Sequence, residues 1–154
     1  MKRKLINFIK ITFGISSAKD AFVTAYEEMG KKGWPEFFVF CDIHGTIVKP
    51  NYEVQVPKEF YEDAEETLRM MSERSDMIIN LYTCSHQHQT DEYLKYFKSK
   101  GINFKFVNEN PDVKDNKYGN FTGKPYMNVL LEDKAGFDPK VDWKILRKYM
   151  SKLK

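Results

Sequence analysis

The sequence feature that most constrains the fold is a set of short apolar runs separated by stretches of helical periodicity. The first run, Phe37–Cys41, has five consecutive apolar residues without alternation. Such a run is typical of a strand that is buried on both faces in a parallel sheet. Similar, less regular runs predict further strands at 77–82, 103–107 and 127–131.

Apolar residues at helical spacing predict helices between and around these strands, at 17–29, 60–71, 90–100 and 140–150. From residue 37 onward the predicted order is β-α-β-α-β-loop-β-α. Strands that alternate with helices indicate the α/β class, here a Rossmann-like doubly wound parallel sheet. The chain has 154 residues, which suits one compact domain, so we expect that domain at 35–154 and an N-terminal helical extension at 1–34.

The charge is divided along the chain. Lys and Arg exceed the acids in 1–36 and in 140–154, whereas the body, 37–139, has 17 acids against 12 basic residues. A nucleic-acid binder more often has a basic stripe through its core elements. We therefore do not expect nucleic acid as the main partner.

The two cysteines, Cys41 and Cys84, each follow an apolar run, and neither belongs to a CxxC motif. Free buried thiols in a reducing compartment are expected, which favours a cytoplasmic protein. Basic residues at 2–4 and apolar ones at 5–18 loosely imitate a signal peptide. No run of 18 apolar residues exists, so no transmembrane segment is expected. An amphipathic surface helix and a homodimer stay open.

Polar side chains follow the predicted strands where those strands end. They are Asp42 and His44 after the first strand, Thr83 after the second, and Glu132 and Asp133 after the fourth. In parallel sheets, ligands bind at the carboxyl ends of the strands, so these groups are expected to converge. Crowded carboxylates call for a cation, and an oxygen-only site suits Mg²⁺.

Each of these residues also has a simpler interpretation. Asp42 could cap a turn, Thr83 could merely end a strand, and the acidic pair 132–133 could be a solvated turn. Cys84, His86 and His88 suggest zinc, but their spacing is uncommon and no fourth ligand is evident. A polar loop over the active edge, from which a histidine could touch substrate, is the alternative.

Together the motifs resemble the haloacid dehalogenase-like (HAD) hydrolase superfamily. The first motif of that family, a strand followed by Asp-x-Asp-x-Thr/Val, is matched by residues 42–46. Its second, a Thr or Ser that ends the next strand, is matched by Thr83. Its third and fourth, a Lys before the last strand and an acidic pair after it, are matched by Lys124 and residues 132–133. The short loop after the first motif resembles small members without a sizeable cap domain.

The resemblance implies a Mg²⁺-dependent phosphohydrolase that acts on a small phosphomonoester, such as a nucleotide or sugar phosphate. Asp42 would form an aspartyl-phosphate. The resemblance assigns the metal to the Asp42 carboxylate, the His44 carbonyl and Asp133. In the same scheme Glu132 or Asp138 holds a metal-bound water, while Thr83 and Lys124 bind the phosphoryl group.

One residue departs from the family pattern, because His44 replaces the second Asp. In the family's phosphatases that Asp protonates the leaving group and activates water. An imidazole could still act as acid and base. The alternative is a catalytically impaired HAD-like domain that binds a phosphorylated ligand or a partner protein. Phosphonate or carbon–halogen hydrolysis is a further possibility, which Lys124 and the acidic pair disfavour in the halogen case.

Overall fold

A computed structural model of the chain describes residues 18–153. Its strands are β1 (Phe37–Cys41), β2 (Met77–Leu81) and β3 (Val129–Leu131). Over the described range the α-helices are α1 (Ala18–Lys32), α2 (Ala64–Ser72), α3 (Gln87–Ser99) and α4 (Asp142–Met150), and a short 3₁₀ helix covers Asp133–Ala135. The predicted mixed α/β class is confirmed.

The sheet is parallel, with the order β2-β1-β3. All five residues of β1 are buried, as expected for a central strand covered on both faces. Cys41 is level with Leu81 on one side and with Leu131 on the other. The residues that follow these three positions therefore leave the sheet side by side.

The expected strand at 103–107 is only partly formed, and that prediction needs correction. The segment lies along the outer edge of β2, where Val107 forms an isolated parallel bridge with Leu81. The backbone N–H of Phe106 donates instead to Oδ1 of the buried Asn80, at 3.0 Å. The N–H of Lys105 donates to Ile79, but the next bonds to β2 join Leu81 with Phe106 and Asn108, so one extra residue interrupts the ladder and leaves the Phe106 N–H to the Asn80 side chain.

Helix α1 shares the hydrophobic core with the elements that follow it. Phe22 is fully buried, and its ring meets the edge of Phe37 in β1 at a centroid distance of 5.2 Å. The hydroxyl of Tyr26 donates to Asp76 Oδ2, just before β2, at 2.6 Å. Residues 1–17, the rest of the expected extension, lie outside the described residues.

The connections at the carboxyl edge of the sheet are mostly irregular. Residues 42–63 contain no α-helix and only isolated bridges, and 108–128 form a second long loop. None of the helices described here is long and apolar enough to cross a membrane.

A buried ion pair fixes α1 to α4. Lys19 Nζ lies 2.9 Å from Asp142 Oδ1, and the Asp142 side chain is only 1% exposed. The backbone N–H of Asp138 donates to the other oxygen at 2.9 Å. Removing the lysine would leave a buried carboxylate with one hydrogen bond fewer and no counter-charge, which is costly.

We predict that Lys19→Met lowers the free energy of unfolding by about 3 kcal/mol, the low end for a broken buried pair, because Lys19 is partly exposed and the Asp138 N–H remains. The matched control is Lys31→Met, which breaks the exposed pair with Glu28 and should cost less than about 1 kcal/mol. Urea unfolding measures both. Equal effects would show that the buried pair does not fix α1.

Candidate active site

The backbone brings the three strand ends together. The N–H of Asp42 donates to the carbonyl of Leu131 at 3.0 Å, and the N–H of Tyr82 donates to the carbonyl of Cys41 at 2.8 Å. Parallel pairing thus continues one residue past each strand. Asp42 lies between the chain that leads to Thr83 and the chain that leads to Glu132.

A pocket of about 320 Å³ opens at this edge. Its lining includes Asp42, Thr83 and Glu132, three of the residues predicted from the sequence. The rest of its wall comes from the loop after β2 and from the long loop before β3, namely Tyr82, Cys84, Asn108, Gly123 and Pro125.

The surroundings of Asp42 disfavour a charged carboxylate. Burial, with repulsion from Glu132 and Asp133, raises the pKa of Asp42 to about 6. The Ile43 N–H and the charge of Lys134 act in the opposite direction. Lys134, next to the acidic pair in the sequence, is thus the cation that partly offsets the repulsion at Asp42.

Asp133 is directed at the turn that follows Asp42. A Cβ atom built on Gly45 would lie 2.9 Å from Asp133 Oδ2, and Gly45 has φ +80°. The N–H of Asp133 donates to Oγ1 of Thr46 at 3.0 Å. The carbonyl of Thr46 accepts a bond from Trp143 Nε1 at 2.7 Å. Two hydrogen bonds at Thr46, one from Trp143 in α4 and one from Asp133, therefore hold the turn and Asp133 together.

The His44 side chain is directed toward α3. Its Nε2 lies 2.8 Å from the hydroxyl of the buried Tyr93, and the two rings are in edge contact. Burial lowers the pKa of His44 and raises the pKa of Tyr93. His44 and Asp133 line a second pocket of about 510 Å³, with the loop around Tyr52. The predicted site thus spans two neighbouring depressions.

Thr83 is 8% exposed and closely held. Its hydroxyl oxygen accepts a bond from the N–H of Ser85 at 3.2 Å and lies 3.0 Å from Ser85 Oγ. The side chain of Asn108 bonds the Thr83 backbone at both its N–H and its carbonyl. Sequence reasoning found Thr83 but missed Asn108.

Lys124 is exposed, and within the described residues its side chain has no hydrogen bond or ion pair. Its neighbours Gly123 and Pro125 line the Asp42 pocket. Asp138 Oδ1 accepts a bond from the N–H of Lys140 at 3.0 Å, in the turn before α4. The structure therefore gives Asp138 a turn role, and the proximity of Lys124 to phosphate stays a prediction.

Cys84, His86 and His88 are exposed around the start of α3, where the two histidine rings stack, so the expected burial of Cys84 is wrong, whereas Cys41 is buried. Across residues 18–153, no group of three or more His, Cys, Asp or Glu side chains is placed to hold a metal ion. The sequence alternative of a zinc site therefore gains no support from the geometry. The N–H of His86 donates to Gln89 Oε1 at 3.0 Å, as at a capped helix start.

Comparison with known proteins gives a likeness of fold. No protein-family model and no curated protein matches the sequence. A solved structure of a conserved protein from Bacteroides thetaiotaomicron matches with a TM-score of 0.58 and 21% identity. The match covers 77% of this chain and 93% of that one. At this identity the likeness concerns the fold alone.

We predict that Gly45→Ala lowers the free energy of unfolding by about 1–2 kcal/mol, because an L-residue is strained at this positive φ and its Cβ would press on Asp133. Gly30→Ala is the control, since its Cβ would meet nothing within 4 Å in helix α1. That change should instead stabilise by roughly 0.5–1 kcal/mol. Chemical unfolding measures both free energies. A Gly45→Ala variant as stable as the wild type would contradict the close approach of Asp133 to this turn.

Proposed function

We propose that the chain is a Mg²⁺-dependent phosphohydrolase that acts on a small phosphomonoester through an aspartyl-phosphate on Asp42. The observation that carries the proposal is the meeting of Asp42, Thr83 and Glu132 in one pocket at the carboxyl edge of a parallel sheet. A strand-end aspartate beside a hydroxyl donor suits nucleophilic attack on phosphorus. The same edge is where parallel α/β sheets bind ligands.

The order β2-β1-β3 supports a HAD-like arrangement, with the strand that bears the nucleophile between the strands that bear Thr83 and the acidic pair. The segment 103–107 extends this order beyond β2, although it is irregular. No cap domain interrupts residues 42–63. We therefore propose a small capless member of the haloacid dehalogenase-like superfamily.

The donor set fits Mg²⁺. Asp42 is crowded by the charges of Glu132 and Asp133, and a bound dication would relieve that repulsion. Mg²⁺ in proteins is commonly held by one or two carboxylates and several waters, so a cluster of three acids is not needed. Asp42, Asp133 and the His44 carbonyl would hold the ion, with Glu132 on a bound water. The cation would supply charge stabilisation for the transferring phosphoryl group.

The protein residues have distinct roles in the proposed reaction. A carboxylate oxygen of Asp42 bonds to phosphorus while the bond from phosphorus to the leaving oxygen breaks. The hydroxyl of Thr83 donates to a phosphoryl oxygen, and Lys124 or Lys134 balances the negative charge. The leaving oxygen takes a proton, for which His44 is the candidate donor, and water then cleaves the aspartyl-phosphate.

We predict that phosphate release from a panel of phosphomonoesters requires Mg²⁺ and falls at least about a thousandfold in Asp42→Asn. Asp91→Asn on the exposed surface of α3 is the control and should leave turnover unchanged. Circular dichroism verifies folding. Full activity of Asp42→Asn would contradict a covalent role for this residue.

A second function, binding of a phosphorylated ligand without turnover, is favoured by the contact of His44 Nε2 with the buried Tyr93 hydroxyl. A ring held in this way is less free to serve a leaving group. His44→Asp separates the two functions. If His44 is the acid, the wild type already releases phosphate and the substitution changes that rate in either direction; if the wild type only binds, phosphate release is absent until the aspartate introduces it.

A further inference from the structure

Asn108 has an unusual backbone conformation at the edge of the proposed site. Its φ is +57°, a left-handed value that only one other non-glycine residue, Asp63, shares among residues 18–153. Asn tolerates this conformation better than most residues, but it still costs free energy. Such a cost is retained when the surrounding contacts require it.

The contacts of Asn108 explain the requirement. Its Oδ1 accepts a bond from the N–H of Thr83 at 2.7 Å, and its Nδ2 donates to the carbonyl of Thr83 at 2.8 Å. Its own N–H donates to the carbonyl of Leu81 at 2.8 Å. One carboxamide thus satisfies both backbone groups of Thr83, as a neighbouring strand would do in a longer sheet.

These two bonds from the Asn108 side chain to the Thr83 backbone, called the clamp below, lie beyond the end of the sheet. β2 stops at Leu81, and Thr83 lies two residues beyond it. The other contacts of the Thr83 hydroxyl are with Ser85, two residues along the same loop, so they do not fix it relative to the sheet. Asn108 also lines both the Asp42 pocket and an adjoining depression of about 450 Å³ formed by residues 108–125.

We infer that Asn108 is a positioning residue, which fixes the Thr83 hydroxyl against a bound phosphoryl group. The inference rests on the proposed function and extends it to a residue that bears no reactive group. Asn108 touches the backbone of Thr83 with both ends of its side chain, so it acts through Thr83. A small displacement of a hydroxyl that donates a hydrogen bond to the phosphoryl group is enough to lower a rate by one or two orders of magnitude.

A purely structural role is the competing interpretation, and Asn80 provides the comparison. Asn80 joins the same two segments through its bond to the Phe106 N–H, but it does not line the Asp42 pocket. Loss of Asn80 should weaken the attachment of 103–107 to β2, but it leaves in place the bond of the Asn108 N–H to Leu81 and both bonds of Asn108 to Thr83. Only loss of Asn108 should affect phosphoryl chemistry.

The test is a double-mutant cycle on kcat in the full chain with Mg²⁺. Asn108→Gly keeps the left-handed backbone accessible and removes the clamp, whereas Asn108→Asp keeps the acceptor and sets a carboxylate oxygen against the Thr83 carbonyl. Each should lower kcat by about 10- to 100-fold, with a smaller change in KM. In a Thr83→Ala background, Asn108→Gly should lower kcat less than about twofold, because the hydroxyl it positions is gone.

Asn80→Ala is the control, and it should lower stability to urea while it leaves kcat unchanged. A kcat loss from Asn108→Gly that is equal with and without the Thr83→Ala substitution would overturn the inference. That result would leave the proposed function intact, because wild-type turnover would stand.

Cysteine alkylation supplies a readout that needs no turnover. Cys84 is exposed in the Asp42 pocket and Cys41 is buried, so a maleimide should label Cys84 alone. Inorganic phosphate with Mg²⁺ should slow labelling in the wild type, and Asn108→Gly should need more phosphate for equal protection, by a factor smaller than its loss of kcat. If phosphate protects Cys84 but the wild type shows no turnover, the positioning role is retained and hydrolysis is rejected. If both protection and turnover are absent, both proposals are contradicted.

Discussion

The parallel register of the central strand determines the rest of the candidate site. β1 pairs on both sides, so Cys41, Leu81 and Leu131 lie level across the sheet. The next residues must then leave the sheet together, which places Asp42 between Thr83 and the acidic pair. A slip of one residue in either pairing would direct the polar groups to opposite faces and separate them. Burial of all of β1 makes such a slip costly.

The concentration of acidic side chains at this edge of the sheet opposes folding. Asp42 is held partly buried beside two like charges, and Lys134 compensates only in part. The arrangement persists because the loops around it are held by buried polar contacts. Trp143 and Thr46 fix Asp133, while Asn108 fixes Thr83. Both contacts join segments far apart in sequence, so the site depends on the whole fold.

The apolar runs predicted the strands because buried parallel strands have a simple signal, and the polar ends predicted Asp42, Thr83 and Glu132. The strand predicted at 103–107 is only partly formed, because an extra residue in its pairing with β2 is accommodated by Asn80, a contact that the pattern of apolar residues does not show. The contact of His44 with Tyr93 and the clamp of Asn108 were missed for the same reason. Each is a single polar contact between distant residues, which no local periodicity records. Lys134 was adjacent to the predicted acids, and its charge could have been weighed with theirs.

Acid quenching tests whether Asp42 forms a covalent bond to phosphorus. The protein would be mixed with Mg²⁺ and a phosphomonoester that it hydrolyses or binds, quenched in acid within a single turnover, and digested for mass spectrometry. We expect a phosphoryl group on the peptide that contains Asp42, and none when Asp42→Asn is treated in the same way. Turnover with no phosphoryl group on that peptide, or with one on another residue, would contradict it.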